Sequence, residues 1–236
     1  MEAMEAGSRV HRKIQGRMGA GYQAEAVLKE TVMLGDINVQ IEGRADGIWT
    51  DDGIVTIDEI KGTYKDVGQM TEAALVHLAQ ARCYGWIYGI QNGLEKLRIR
   101  MIYVNLDTEA QRYFTEEHTF EFLNEWFWGL MKEYEKWVSF ELRWKERRGR
   151  SLRELSFPYE YRKGQRDLIV SVYRTILRRK RLFIQAPTGV GKTLAALFPA
   201  LKAMGEGHND KIFYLTARTI TRTVAKDALD LLRKQG

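Results

Sequence analysis

One nine-residue segment restricts the folds open to this chain more than any other feature. It reads Q-A-P-T-G-V-G-K-T, Gln185–Thr193, and it lies between a short apolar run, Leu182–Gln185, and a helical pattern from about residue 192 to 204. A glycine-rich turn between a strand and a helix is the setting of a phosphate-binding loop. Strands and helices that alternate in this way form a parallel α/β unit. The segment therefore predicts an α/β fold that carries a nucleotide site.

The chemistry of this loop gives each position an expected role. Gly189 and Gly191 let backbone amides turn toward a phosphate chain, and the helix N-terminus adds partial positive charge. Lys192 is expected to reach the β- and γ-phosphates of ATP, and the Thr193 hydroxyl to ligate Mg²⁺. The nucleotide ligands predicted on the loop are Ala186, Pro187, Thr188, Gly189, Val190, Gly191, Lys192 and Thr193.

Charge divides the chain into two unlike parts. Residues 1–140 carry a formal net charge of −7, and residues 141–236 carry one of +13. A basic segment can attract a polyanion such as nucleic acid or nucleotide, although a solvated basic surface would have the same composition. In the basic part, the apolar spacing predicts helices at 163–180 and 221–232 and a strand at Lys211–Thr216.

Three motifs of the basic part stand in the order and spacing found in superfamily-two DNA helicases. They are F-P-Y-E-Y-R-K-G-Q at Phe157–Gln165, A-P-T-G-V-G-K-T at Ala186–Thr193, and F-Y-L-T-A-R-T-I-T-R at Phe213–Arg222. Residues 156–236 thus resemble the first part of a RecA-like ATP-binding domain, most closely in the XPD/Rad3/DinG branch. The resemblance implies that Arg162 and Gln165 contact the adenine. It also implies that Thr216, Arg218 and Thr219 contact the DNA backbone. Without the resemblance, the end of a strand and the N-cap of a helix would account for the same three residues.

The same resemblance sets an expectation about catalysis. Helicases of this kind use a D-E-x-H strand to orient the attacking water, and an arginine finger from a second motor domain. Neither follows the loop before Gly236, so we expect the N-terminal piece of a longer protein, which binds ATP weakly and does not hydrolyse it at a useful rate. The iron–sulfur cluster of the XPD branch needs four cysteines. Because Cys83 is the single cysteine, such a cluster is possible only in a downstream region.

The acidic part contains a second group of residues with chemical potential. The segment G-R-A-D-G ends one predicted strand near Asp46, and the next strand reads I-D-E-I-K-G with Glu59 and Lys61. Alternate side chains of a strand share a face, so Glu59 and Lys61 are expected on one face and Asp58 on the other. Two carboxylates on adjacent strands can hold Mg²⁺ or Mn²⁺, and a lysine beside them can position water or stabilise a pentacovalent phosphate. The pattern predicts metal-dependent hydrolysis of a phosphodiester.

This arrangement resembles the PD-(D/E)XK nuclease fold of the RecB-like group. The resemblance implies that Asp46, Glu59 and Lys61 are catalytic, and that His11 on the first helix joins Asp46 and Glu59 as a metal ligand. It further implies that Gln80 and Tyr84, four residues apart on one helix face, contact substrate or brace the site. A restriction-endonuclease-like domain is therefore expected at 1–118.

The remaining pattern predicts the elements around these residues. We expect helices at 8–24 and 70–90, and strands at Ala26–Leu34, Ile37–Trp49, Ile54–Lys61 and Arg98–Leu106. A long helical segment follows at 119–148, with one packed face formed by Phe122, Trp126, Leu130, Tyr134 and Trp137. Residues 119–155 are expected to form a helical connector, and residues 156–236 the incomplete RecA-like domain.

Together the two resemblances cover nearly the whole chain. They imply an ATP-dependent DNA helicase, an ATP hydrolase, fused to a metal-dependent deoxyribonuclease that acts on single-stranded DNA in repair or recombination in the cytoplasm. An inactive nuclease fold that serves the motor as a DNA-binding module is the alternative. A small-molecule kinase is disfavoured, because it would need neither Gln165 nor the T-A-R-T element. No apolar run is long enough to cross a bilayer, so no membrane partner is expected.

Overall fold

The computed structural model describes residues 2–217 and 219–234, and it divides the chain into two compact units, Met1–Lys136 and Trp137–Gly236. The division falls between the predicted limits of the helical connector, 119 and 155. The chain is mixed α/β, in agreement with the predicted class.

The first unit is built on a five-stranded sheet whose strands lie in chain order. Its elements are α1 (Glu2–Gln15), β1 (Gln23–Leu34), β2 (Ile37–Asp51), β3 (Ile54–Thr63), α2 (Leu75–Asn92), β4 (Lys96–Asn105) and β5 (Gln111–Thr119). The β3–β4 pair is parallel and is connected through α2, while the other neighbouring pairs are antiparallel. The three-strand meander followed by a helical crossover places the ends of β2 and β3 beside α1 and α2.

Two expectations about this unit need correction. The first helix ends at Gln15 and not at residue 24, because Gly16, Gly19 and Gly21 follow and glycine disfavours helix. The strand β5 was not predicted, since its polar sequence Q-R-Y-F-T-E-E-H-T resembles a loop. It forms because it pairs along β4 at the edge of the sheet, where one side stays exposed.

Helices cover both faces of the sheet. On one face, α2 and the start of α3 (Phe120–Glu154) close the main core, in which the rings of Trp86 and Phe127 stack with centroids 3.5 Å apart. On the other face, Val10 and Ile14 of α1 pack on a smaller cluster that contains Ile60. Truncation of a buried aromatic side chain such as Trp86 typically lowers the free energy of unfolding by about 3–5 kcal/mol, so this packing contributes strongly to the stability of the unit.

The packed face predicted on the long helix is displaced by one residue. The buried hydrophobic side chains described in α3 are Leu123, Phe127 and Met131. Of the predicted face, Phe122, Leu130, Tyr134 and Trp137 are exposed, and Trp126 alone packs against the core. Both sets follow a four-residue spacing, so periodicity could not choose between two neighbouring stripes of one helix.

The second unit consists of the later part of α3 with α4 (Gln165–Leu177), α5 (Lys192–Gly205) and α6 (Thr219–Arg233). The predicted strands Leu182–Gln185 and Lys211–Thr216 are not formed among the described residues. The physical reason is that no described segment offers them a ladder partner, and Phe183, Phe213 and Leu215 are 94%, 81% and 90% exposed. Among the described residues, no helix is both long and apolar enough to cross a membrane.

Candidate functional site

The acidic residues lie where two strands of the sheet separate. The ladder between β2 and β3 runs from Asp51 and Ile54 to Gly47 and Asp58. Beyond it, Asp46 Oδ2 accepts a hydrogen bond from the backbone N–H of Ile60 at 2.6 Å. The carboxylate thus satisfies a backbone donor at the point where the ladder stops, which fixes Asp46 in a buried position.

Glu59 and Lys61 form an ion pair on the face of β3 that α2 covers. Lys61 Nζ lies 2.7 Å from Glu59 Oε1, and the Glu59 side chain is 3% exposed. Its other oxygen, Oε2, is buried without a hydrogen-bond partner among the described residues. Burial, with the negative charge of Asp46, raises the pKa of Glu59 to about 7. A buried carboxylate oxygen without a hydrogen-bond donor is costly unless a cation or a water molecule satisfies it.

Gln80 and Tyr84 reach the same ion pair from α2. Lys61 Nζ donates to Gln80 Oε1 at 3.1 Å, and Gln80 Nε2 donates to the Tyr84 hydroxyl at 3.0 Å. Tyr84 lies against β2 at Gly43, where a Cβ atom would stand 2.5 Å from its ring. The first glycine of G-R-A-D-G therefore leaves the space that this tyrosine occupies.

His11 approaches Asp46 from α1. Its Nδ1 lies 3.1 Å from Asp46 Oδ1, and this hydrogen bond raises the pKa of His11 against the opposing effect of burial. His11, Glu25 and Asp46 each offer a ligand atom, and these atoms lie within 4.8 Å of one another. The structure therefore brings His11 to Asp46, with Glu25 as the third close donor, while Glu59 is paired with Lys61.

The sequence analysis did not assign Glu25 to the site, although the register of the β1–β2 hairpin could have indicated it. The Gly35–Asp36 turn joins Leu34 to Ile37, and the register that starts there carries back to Ala26↔Ala45 and Ala24↔Gly47. Counting from the turn would have placed Glu25 opposite Asp46. Glu42 has the strand parity of Asp46, but it lies four residues away, about 13 Å along an extended strand. Its side chain is exposed and accepts a hydrogen bond from Gln40.

Asp58 occupies the opposite face of β3, as the alternation predicts. Its two oxygens accept from Arg100 at 2.8 and 2.6 Å, and the Arg100 guanidinium lies 4.8 Å from the centroid of the Trp49 ring. Burial raises the pKa of Asp58, and Arg100 opposes that shift. This ion pair joins β3 to β4. It is separate from the acidic site, which we define as His11, Glu25, Asp46, Glu59 and Lys61.

The phosphate loop, Ala186–Thr193, leads directly into α5. Gly189 and Gly191 have φ values of +84° and +77°, which L side chains rarely adopt, and Gly191 is the N-cap residue of the helix. Lys192 Nζ donates to the carbonyl oxygens of Ala186 and Pro187, both at 2.9 Å. The Tyr214 hydroxyl lies 3.3 Å from Thr193 Oγ1. The loop thus holds its lysine with its own backbone.

The two predicted adenine-side residues contact this loop. Gln165 is buried and accepts from the Arg162 backbone N–H at 3.1 Å, while the Arg162 guanidinium donates to the Gly189 carbonyl. The Gln165 amide packs on Gly191, where a Cβ atom would stand 2.5 Å from it. These residues line, with Thr193, an open pocket of about 660 Å³, a volume within the usual range for small-molecule sites.

The predicted DNA-contact residues lie around the start of α6. Thr216 precedes the helix, and Thr219 is its first residue. Arg218 and the Thr219 side chain lie outside the described residues. Their assignment to the DNA backbone therefore stays a prediction.

Comparison with known proteins supports the helicase resemblance of the second unit. Residues 164–235 match the family model described as DEAD/DEAH box helicase. A curated relative, "Probable ATP-dependent helicase MJ0942" of Methanocaldococcus jannaschii, is 46% identical over 46 residues, which are 19% of this chain and 7% of that protein. The chain thus spans a small part of the length of that relative. The segment that matches the family model, residues 164–235, holds the phosphate loop and Gln165, so this part of the chain is helicase-like.

A solved structure gives a looser likeness. The chain described as "Crystal structure of SSO0001" aligns with 52% of this chain and 56% of its own length, at 20% identity and a TM-score of 0.38.

Proposed function

We propose that the chain is part of an ATP-dependent DNA helicase of the XPD/Rad3 type, with a PD-(D/E)XK nuclease domain in its acidic part that cuts single-stranded DNA. The observation that carries the nuclease proposal is the buried contact of Glu59 with Lys61 beside Asp46, at the point where β2 and β3 separate. The helicase-family match of residues 164–235 supports the motor part.

The residues present fit a divalent cation. Among the residues that the structure describes, Glu59 Oε2 is buried without a hydrogen-bond donor, and the imidazole of His11 and the carboxylates of Glu25 and Asp46 lie close to one another beside it. Asp46, Glu59 and His11 would hold Mg²⁺ or Mn²⁺, which when bound polarises a phosphoryl oxygen and lowers the pKa of a coordinated water. The types of ligand are those that these ions accept. Carboxylates bind both Mg²⁺ and Mn²⁺, and an imidazole binds Mn²⁺ better than Mg²⁺.

Lys61 is the residue that we propose stabilises the transition state. In hydrolysis the water oxygen forms a bond to phosphorus and gives up a proton to solvent, the bond from phosphorus to the leaving oxygen breaks, and the leaving oxygen takes a proton from solvent. Negative charge grows on the phosphoryl oxygens during this step, so a fixed ammonium group beside them lowers the barrier. Glu59 and Gln80 fix the ammonium, and Tyr84 fixes Gln80.

The phosphate loop would bind ATP by exchanging the partners of Lys192. Its ammonium bonds two neutral carbonyl oxygens of the loop, and phosphate oxygens are stronger acceptors because they carry charge. The Thr193 hydroxyl would hold Mg²⁺, and the pocket beside Arg162 and Gln165 would take the adenine. The excess of positive charge over residues 141–236 supports DNA as the polymer on which the motor acts.

Cleavage of labelled single-stranded DNA by the purified chain tests the proposal. With Mn²⁺ or Mg²⁺ we expect cleavage that disappears with a chelator and in Asp46→Asn. Asp36→Asn, in the exposed turn between β1 and β2, is the control and should cut like the wild type. A chain that binds the DNA but never cuts it with either metal would instead be a DNA-binding module.

A further inference from the structure

We infer that a groove of the second unit binds single-stranded DNA, with the Trp144 ring as a platform for one base and arginines beside it for the phosphates. The groove lies between the later part of α3 and the helices α5 and α6, and its volume is about 640 Å³. This inference rests on the proposed function for the choice of DNA as the polymer, but its test needs neither cleavage nor ATP.

The lining of this groove is apolar and basic. Its floor includes Leu155 and Leu232, both buried, and its basic residues are Arg147, Arg148 and Arg233. Among the described residues that line it, none is acidic, whereas acidic residues line the pocket beside the phosphate loop. An apolar surface with positive charge at its rim fits a flat base that is joined to phosphates.

Three aromatic rings of α3 lead to the groove. Trp137, Phe140 and Trp144 are spaced by three and four residues, so they share one face of the helix, and each is more than half exposed. A helix rises 1.5 Å per residue, so the three rings extend over about 10 Å of its axis. Exposed rings of this kind stack with bases regardless of sequence, because every base has a π-face. A duplex keeps those faces stacked on each other, so the rings favour a single strand.

Two arginines accompany the rings. Arg143 and Arg147 follow Phe140 and Trp144 by three residues each, so each guanidinium group starts beside an exposed ring. Among the described residues neither arginine has an acidic partner, whereas neighbouring basic residues of the helix form ion pairs with glutamates. Arg143 and Arg147 are four residues apart, and like charges at this spacing repel each other. A phosphate chain would supply a counter-charge to both, which an apolar protein surface would not.

Fluorescence anisotropy with a labelled oligothymidylate tests the inference, in the presence of a chelator and without nucleotide. Trp144→Ala should weaken the binding by about 5- to 150-fold, which is the usual effect of removing one stacked ring. Trp144→Phe keeps an aromatic face and should retain most of the affinity. A duplex of the same length should bind less tightly than the single strand, and Trp144→Ala should not affect it.

Salt dependence separates the stacking contacts from the phosphate contacts. Arg147→Gln should lower the slope of log affinity against log salt concentration by about 0.7, the value for one phosphate contact to a single strand. Trp144→Ala should leave that slope unchanged. Arg178→Gln removes the same charge at the exposed C-cap of α4, outside the groove, and should change neither the slope nor the affinity. Should Trp144→Ala fail to fold, judged by circular dichroism, the slope of Arg147→Gln decides the question.

The outcomes distinguish this inference from the proposed function. Wild-type affinity for the oligonucleotide in both Trp144→Ala and Arg147→Gln would overturn the inference, even if the chain cuts DNA. Binding through Trp144 and Arg147 by a chain that never cuts DNA would support the groove and count against the nuclease. If Trp144→Ala converted a dimer into a monomer in sedimentation and left the DNA affinity unchanged, the groove would be an interface between copies and the inference would be wrong.

Discussion

The acidic site and the phosphate loop each present a lysine, and they hold it by different means. Lys61 stands on β3, and its ammonium is fixed by Glu59 of the same strand and by Gln80 of α2. Lys192 begins α5, is exposed, and donates to two carbonyl groups of the six residues before it. The first lysine depends on packing between distant segments, while the second depends on local backbone geometry.

The two sites therefore depend on different parts of the structure. Asp46, Glu59 and Gln80 meet because three strands and a helix crossover bring them together, so any change in strand register would separate them. The phosphate loop needs its glycines and the adjoining helix, both of which lie within one short segment. We therefore expect the acidic site to respond strongly to distant packing changes and the loop to respond weakly.

The largest expected effect is on cleavage, from Lys61→Ala. Loss of one preorganised group that stabilises developing negative charge typically lowers the rate by about 10²–10³-fold, and we expect a fall of that size in DNA cleavage. Lys65→Ala, which removes the same charge four residues further on, should cut at the wild-type rate. Single-turnover cleavage in Mn²⁺ measures both.

Binding measurements complete that experiment. Lys61→Ala should still bind DNA and Mn²⁺, because neither needs the ammonium group. Cleavage by Lys61→Ala at the wild-type rate would show that the ion pair with Glu59 is structural.

A smaller effect is expected on ATP affinity, from Lys192→Ala. Hydrogen bonds to a charged partner contribute about 1.5–3 kcal/mol, which corresponds to a loss of about 10- to 150-fold in affinity. Lys180→Ala, outside the loop, is the matched loss of charge and should bind ATP as the wild type does. Titration with a fluorescent ATP analogue measures the affinity. If Lys192→Ala also lowered DNA cleavage by the acidic site, the two sites would not be independent of each other.

The same contrast explains how much could be predicted from the sequence. The local geometry of the phosphate loop followed from the sequence, because the glycines that shape it lie within Gln185–Thr193 and directly precede α5. The role of its residues in binding ATP stays a prediction. The order of elements around Asp46 and Glu59 followed from alternation and turn residues. Glu25 was not assigned to the acidic site from the sequence, because its neighbour Asp46 is 21 residues away and only the register of the hairpin brings the two together.

Other predictions differ from the structure where the local sequence pattern fits two arrangements equally well and tertiary packing selects one of them. Residues Phe122, Trp126 and Leu130 have the same spacing as Leu123, Phe127 and Met131, and the sheet chose the second set. The segments Leu182–Gln185 and Lys211–Thr216 have strand-like composition, but a strand exists only when another strand completes its hydrogen bonds.

The smallest effect tests directly whether packing assembles the acidic site. In Gly43→Ala the new Cβ would stand 2.5 Å from the Tyr84 ring, so either β2 or the tyrosine must move. Overpacking of this kind costs about 1–3 kcal/mol, and we expect a loss of that size in the free energy of unfolding. Gly129→Ala is the control, because it lies exposed within α3 with nothing within 4 Å of a new Cβ, and helix propensity favours alanine by about 1 kcal/mol.

Guanidinium unfolding of the full chain compares the two glycine variants, and functional assays extend the comparison to both sites. Gly43→Ala should lower DNA cleavage, because Tyr84 holds Gln80 and Gln80 holds Lys61, while ATP binding at the loop should not change. A Gly43→Ala chain as stable and as active as the wild type would show that Tyr84 is not held against β2. The position of Lys61 would then not depend on the contact between Tyr84 and β2.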